Sequence, residues 1–133
     1  MLIVLDTNVL VSGLINPRGS PARVLDLVIS NEVQVAFDDR ILAEYEDVLT
    51  RPHIGFSHSH VRALLDHLTL NGRPALARLA PIANCPDPDD APFAEVALEA
   101  RVDALVTGNP RHFAFLAGGG IPVLSPSEFL AGA

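Results

Sequence analysis

The chain predicts an α/β domain of three layers with a mostly parallel central sheet. Short apolar runs rich in β-branched residues recur at Leu2–Leu5, Val33–Phe37, Asp103–Thr107 and Ile121–Leu124, and amphipathic helical segments separate them. Strands alternating with helices in this way form a parallel sheet covered on both faces. At 133 residues, such a chain buries about two-thirds of the surface that its unfolded form exposes, so one domain over residues 1–133 is expected without a disulfide or cofactor to hold it.

The first run, too short for a helix, reads as a strand buried on both faces and ends abruptly at Asp6. Ligands of open α/β sheets bind beyond the carboxyl ends of the strands, so Asp6 faces the usual place for chemistry. It could equally cap the next helix, a job open also to Thr7 or Asn8. Val9 to Ile15 continues as a short helix, and Asn16, Pro17, Arg18 and Gly19 close it as a loop. Ser20 caps a second helix with Pro21 at its first position and Val24, Leu25, Val28 and Ile29 along one face.

After the second strand, Asp38 or Asp39 caps a helix from Arg40 to about Thr50, and for these two capping outweighs ligation. Ile41, Leu42, Tyr45, Val48 and Leu49 form its apolar stripe. Glu44 and Glu46 fall on opposite margins of that stripe, so the helical wheel nominates two glutamates without choosing between them. A turn at Arg51–Gly55 leads to a helix from Ser57 to about Asn71 with Val61, Leu64, Leu65 and Leu68 inward. Its His58, His60 and His67 read as solvated surface residues rather than a zinc cluster, because His60 and His67 stand two turns apart.

Leu76 to Ile82 holds a short strand or an irregular return. Cys85 to Asp90 carries three carboxylates among two prolines and reads as an extended loop. Asp90 opens a helix to about Arg101 and lies on the side of Ala94 and Ala97, aimed at the packing face, while Asp87 and Asp89 cap or stay solvated. The strand Asp103–Thr107 delivers Thr107, Gly108 and Asn109 to the same edge as Asp6. Pro110 to about Ala117 is a short helix, Gly118 to Gly120 break the chain, and Ser125 caps a last helix with Pro126 first and Glu128 completing a capping box.

Nine basic residues, all Arg, face sixteen acidic ones for a net charge of -7. This argues against broad attraction to nucleic acid while leaving room for a small local site. No stretch approaches the roughly 20 apolar residues of a membrane span, and Met1 leads straight into the first strand, so a soluble, cytoplasmic protein without an export signal is expected. Cys85, the only cysteine, excludes an internal disulfide and fits a reducing compartment, and it has no neighbouring base to activate it.

Asp6, Glu44 and Asp90 come from separate segments, with the first and third at one sheet edge. Hard oxygen ligands of this kind suit Mg²⁺ or Mn²⁺, and carboxylates without a nucleophilic Ser or Cys point to metal-assisted hydrolysis. Arg18, Arg111 and His112 lie near that edge as candidate phosphate contacts.

Four stretches in this order, LDTNVLVSGL, LAEYEDVL, DPDDAPFAEVA and LVTGNPRHF, resemble a PIN domain, and more closely the VapC-like toxin ribonucleases of bacterial and archaeal toxin–antitoxin pairs. The resemblance runs from Met1 to about Leu124. It implies a PIN-like fold, cleavage of single-stranded or structured RNA with Mg²⁺ or Mn²⁺, a cognate antitoxin as partner, homodimers and no membrane. It also selects Glu44 over Glu46 and matches Asp6 and Asp90 to the family's first and third acidic positions. Asn109 stands where the commonest pattern has Asp. An amide oxygen can ligate or hold a water but brings no charge, so a second ion would bind more weakly. Asn8 and Thr107 resemble the family's polar supports for Asp6 and its water network.

Two other functions compete. A metal-dependent phosphatase of the aspartyl-phosphate type would explain Asp6 after the first strand, yet Thr7 and Asn8 follow it where a second Asp is usual, and the chain has no Lys. A PIN-like module that binds RNA or an antitoxin without catalysis would explain Asn109 and the negative charge.

Overall fold

The computed structural model describes residues 1–76 and 85–132. Strands β1 (Leu2–Leu5), β2 (Gln34–Phe37), β3 (Arg73–Pro74), β4 (Ala104–Val106) and β5 (Val123–Leu124) form one parallel sheet in the order β3-β2-β1-β4-β5. The order reverses at β1: the chain builds outward to β2 and β3, then crosses back to lay β4 on the other side. A crevice opens at such a switch point beyond the carboxyl ends of the strands. Asp6 follows β1 there and Thr107 follows β4.

The helices are α1 (Thr7–Ile15), α2 (Ser20–Ile29), α3 (Asp39–Leu49), α4 (His58–Asn71), α5 (Ala91–Ala100) and α6 (Pro126–Gly132). α2 packs on α1 and α6, and α3 packs on α4 and α5, which gives the expected α/β/α layers. Every residue of β1 is buried, because helices cover both of its faces. Two glycines permit close approaches. A Cβ at Gly13 would stand 2.6 Å from Leu25 Cδ1 between α1 and α2. One at Gly72 would stand 2.3 Å from the Leu68 carbonyl oxygen and 2.7 Å from that of Val35, where the end of α4 meets β2. No described helix is long and apolar enough to cross a membrane.

Several local expectations change. α1 starts at Thr7 rather than Val9, because Asp6 has the extended backbone of an N-cap residue and its carbonyl already accepts from Val9 N–H at 3.0 Å. Gly19, not Ser20, is the N-cap of α2, and no side chain caps it. The edge strand β3 (Arg73–Pro74), which follows α4, is not expected from the sequence, since two exposed polar or ring residues carry no hydrophobic period. Proline is tolerated there because the strand lies at the sheet edge. The return expected at Leu76–Ile82 lies outside the described residues from 77 onward. Pro88–Asp90 forms a turn of 3₁₀ helix rather than extended chain, as Pro suits a first helical position and the Asp87 carboxylate accepts from Asp89 N–H at 2.9 Å. Pro110–Leu116 is also 3₁₀.

His67 is half-buried, not a solvated residue: its Nε2 lies 3.0 Å from the Val28 carbonyl oxygen and ties α4 to α2. The expected caps form at Asp38, which accepts from Ile41 N–H at 3.0 Å, and at Ser57, which accepts from His60 N–H at 3.2 Å. The Ser125–Glu128 capping box closes in both directions, at 2.9 and 3.1 Å.

Candidate active site

The site is built from the carboxyl ends of β1 and β4 and from two helices on the same side of the sheet. Asp6 N–H donates to the Val106 carbonyl at 2.9 Å, which extends the β1–β4 ladder by one residue and fixes where the Asp6 side chain starts. The buried Thr107 hydroxyl donates to Asp6 Oδ2 at 2.7 Å. The same Thr107 oxygen accepts from Asn109 N–H at 3.0 Å, so one side chain indexes the β4 loop to the carboxylate. Asn8 Oδ1 accepts from Gly108 N–H at 3.0 Å and steadies the loop from the α1 side.

From α3, Glu44 receives a hydrogen bond from the Thr7 hydroxyl. Its neighbour Tyr45 is fully buried and donates to the Leu5 carbonyl oxygen at 2.5 Å. The β1–β2 register pairs Leu2 with Gln34 and Ile3 with Val35, so Leu5 lies beyond those pairs and the phenol takes up its carbonyl. Burial, then the negative charges of Asp6 and Glu44, hold the Tyr45 hydroxyl well above its ordinary range, which favours its protonated, donating form. Tyr45→Phe is therefore expected to strip a buried carbonyl of its partner and cost about 1–3 kcal/mol. Thermal unfolding should register a Tm lower by roughly 4–10 °C; an unchanged Tm would mean that this bond contributes nothing net.

Electrostatics link the acids. Burial raises the Asp6 carboxyl above its ordinary value; the Thr107 and Thr7 hydrogen bonds and the His112 imidazole pull it down, while Glu44 pushes it up. Asp90 is raised by burial first and then by Asp6, with Asp87 and Asp89 in the same sense and His112 opposing. Asp6 is thus the shared member, within electrostatic range of Glu44 and of Asp90. The Thr7 hydroxyl holds Glu44 within electrostatic range of Asp6, whereas Glu46 is exposed.

Among the described residues no three His, Cys, Asp or Glu side chains converge tightly enough to hold an ion as they stand. The donor chemistry still fits Mg²⁺, which is usually held by one or two carboxylates plus waters and substrate phosphate rather than by a closed protein cage. Two partly buried carboxyls, both held above their ordinary values by burial and then one by Glu44 and the other by Asp6, are groups that a divalent cation would relieve.

The remaining candidates are placed as follows. Asn109 is exposed just past β4, with Arg111 and His112 exposed in the following 3₁₀ turn, and His112 acts on both Asp6 and Asp90. Arg18 is exposed beyond the far end of the nine-residue α1, about 14 Å of helix from Asp6. The Cys85 thiol is pushed up by burial and by the nearby acids, against the bond that it shares with the Asp87 carbonyl, which leaves it a poor nucleophile. Sequence reasoning missed Thr7 as a partner of Glu44 and read Tyr45 only as part of an apolar stripe. The available signal was the lone phenol in an aliphatic row, since a buried tyrosine hydroxyl needs an acceptor.

The chain is thus a parallel α/β domain with acidic side chains gathered at its switch point. A PIN-domain family profile matches residues 2–111, and the chain belongs to the PIN-domain family, whose members are generally nucleases that use divalent metal ions. An uncharacterized protein of Methanocaldococcus jannaschii is 31% identical over 114 residues, which span 80% of this chain and 70% of the relative. No solved structure matches the chain significantly.

Proposed function

We propose that the chain is an endoribonuclease dependent on Mg²⁺ or Mn²⁺, the toxin of a toxin–antitoxin pair, which works in the cytoplasm as a homodimer and is held in check by its antitoxin. The observation that carries the reading is the position of Asp6: beyond β1 at the switch point, tied to Thr107, and within electrostatic range of both Glu44 and Asp90. The VapC-like motif order supports the toxin assignment.

Asp6 and Asp90, with Glu44 and the weaker donor Asn109, would hold the ion, which when bound supplies Lewis acidity toward a phosphoryl oxygen and makes water a stronger acid. The chain's own work is orientation. Thr107 fixes the Asp6 carboxylate and Thr7 fixes that of Glu44. Asn8 holds the Gly108 backbone, and with it the approach to Asn109. Arg111 and His112 meet the phosphate from the 3₁₀ turn. A net charge of -7 repels a polyanion everywhere except where a cation offsets the acids, so substrate binding and metal loading are coupled.

A second reading, a module that binds RNA or an antitoxin with catalysis lost, is favoured by Asn109 and by the net charge of -7. Incubating single-stranded RNA with the protein in Mg²⁺, in Mn²⁺ and in EDTA separates the two. Internal cleavage in either metal, stopped by EDTA, is expected. RNA binding without cleavage in either metal selects the second reading, and turnover of a small phosphomonoester with intact RNA selects a phosphatase.

A further inference from the structure

We propose that Arg40 is a positioning residue for the metal site, a latch that sets how the helix bearing Glu44 lies against the helix that follows Asp90. The proposal rests on the divalent-metal reading above. From the first turn of α3, the guanidinium donates through Nε to Asp38 Oδ2 at 2.9 Å and through Nη1 to Glu95 Oε1 on α5 at 2.9 Å, while Nη2 lies 2.8 Å from Asp38 Oδ2. Both carboxylates are enclosed, with side chains 6% exposed for Asp38 and 11% for Glu95. Surface ion pairs contribute little, whereas an arginine fork shared by two enclosed acids has a defined geometry. Asp38 also caps α3 through Ile41 N–H, so the start of α3 is joined at once to the end of β2 and to α5.

The location gives the latch its consequence. Glu44 stands four residues along α3 from Arg40, one turn on and on the same side. Asp90 immediately precedes α5, on which Glu95 sits. The same two helices also meet through the Tyr45 and Phe93 rings, with centroids 6.3 Å apart and planes tilted by 43°. One apolar contact fixes the spacing of two helices but lets them rock about it; a second contact elsewhere along the pair removes that freedom. Loss of Arg40 would also strand two enclosed anions beside an edge already rich in acids.

The test is a titration of the full chain with Mn²⁺ alone, read by the metal-induced shift in Tm and by the electron paramagnetic resonance of free Mn²⁺, with far-ultraviolet circular dichroism as a folding control. Arg40→Gln and Glu95→Gln are expected to need about tenfold more Mn²⁺ for the same response. Arg40→Lys, a point charge unable to span both acids, should fall between them and the parent. Arg51→Gln should titrate as the parent, because its partner Asp47 is exposed and their pair lies at the far end of α3. Parent-like Mn²⁺ binding by Arg40→Gln and Glu95→Gln overturns the proposal while leaving the metal reading intact. A parent that binds no Mn²⁺ overturns both. Should Arg40→Gln fail to fold, Glu95→Gln decides, since it keeps the arginine and the side-chain shape.

Discussion

Asp6→Asn is expected to lower RNA cleavage by at least about a hundredfold and to remove the protein's thermal response to Mn²⁺, yet to leave the metal-free fold as stable as the parent or more so at neutral pH. The first half follows from charge. An ion supplied at a hundred times its dissociation constant stabilises the folded state by about 2.7 kcal/mol. For 133 residues that is a rise in Tm of about 10 °C. An amide at the shared position withdraws the carboxylate that feels Glu44 and that itself acts on Asp90.

The second half follows from the direction in which Asp6 titrates. Burial is the chief cause that holds its carboxyl above the ordinary value in the folded chain. A carboxyl raised on folding favours the fold while protonated. That contribution is complete below the unfolded value of about 3.9 and is lost as pH rises through the higher folded value. At neutral pH the parent therefore carries an ionised Asp6 at a cost that the amide escapes. The difference in Tm between Asp6→Asn and parent should be near zero at about pH 3 and positive at pH 7, measured by calorimetry in EDTA. Asp90, raised in the same sense, should behave likewise.

Local geometry removes the obvious objection. Asp6 occupies the N-cap of α1 but its side chain makes no capping bond, and the Thr107 hydroxyl can donate to an amide oxygen as well as to a carboxylate. An Asp6→Asn protein that is less stable at pH 7 and still responds to Mn²⁺ would make Asp6 a structural residue.

The layers were legible in the sequence because burial on both faces leaves uninterrupted apolar runs, as in Leu2–Leu5, while half-burial leaves a helical stripe, as in α3. The switch point was half legible. Asp6 and Thr107 each end an apolar run, but which strands are neighbours is decided by packing that no single run encodes. The edge strand Arg73–Pro74 was hidden for the opposite reason: it is exposed at both residues and owes its place to the β2 backbone rather than to hydrophobicity. Glu44 and Glu46 could not be separated on a wheel, since both flank the stripe. What distinguishes them is a hydroxyl from another element, Thr7, waiting on one side only. His67 was misread because its acceptor, the Val28 carbonyl, is a backbone group of α2 that a helical pattern within α4 does not reveal.

The converse of removing a charge is to add one where the family commonly has it, and Asn109→Asp is expected to tighten Mn²⁺ binding by about tenfold or more. Asn109 is indexed to the site through its backbone, which donates to the Thr107 hydroxyl that itself holds Asp6. Its side chain is exposed and caps nothing in the following 3₁₀ turn, so the substitution removes no structural bond. A unit charge 4 Å from another is worth about 1 kcal/mol in water and about 4 kcal/mol at an effective dielectric of 20, and a divalent ion feels more.

The same carboxylate must be destabilising when no ion is present, because it adds repulsion to two acids that are already raised. Asn109→Asp should therefore lower Tm in EDTA at pH 7, enlarge the Mn²⁺-induced rise, and increase cleavage most at limiting Mn²⁺. These opposite movements in one protein set it apart from a variant that merely stabilises or damages the fold. A lower metal-free Tm without any gain in Mn²⁺ affinity would place residue 109 outside the ion's reach and leave the ligand set to Asp6, Glu44 and Asp90.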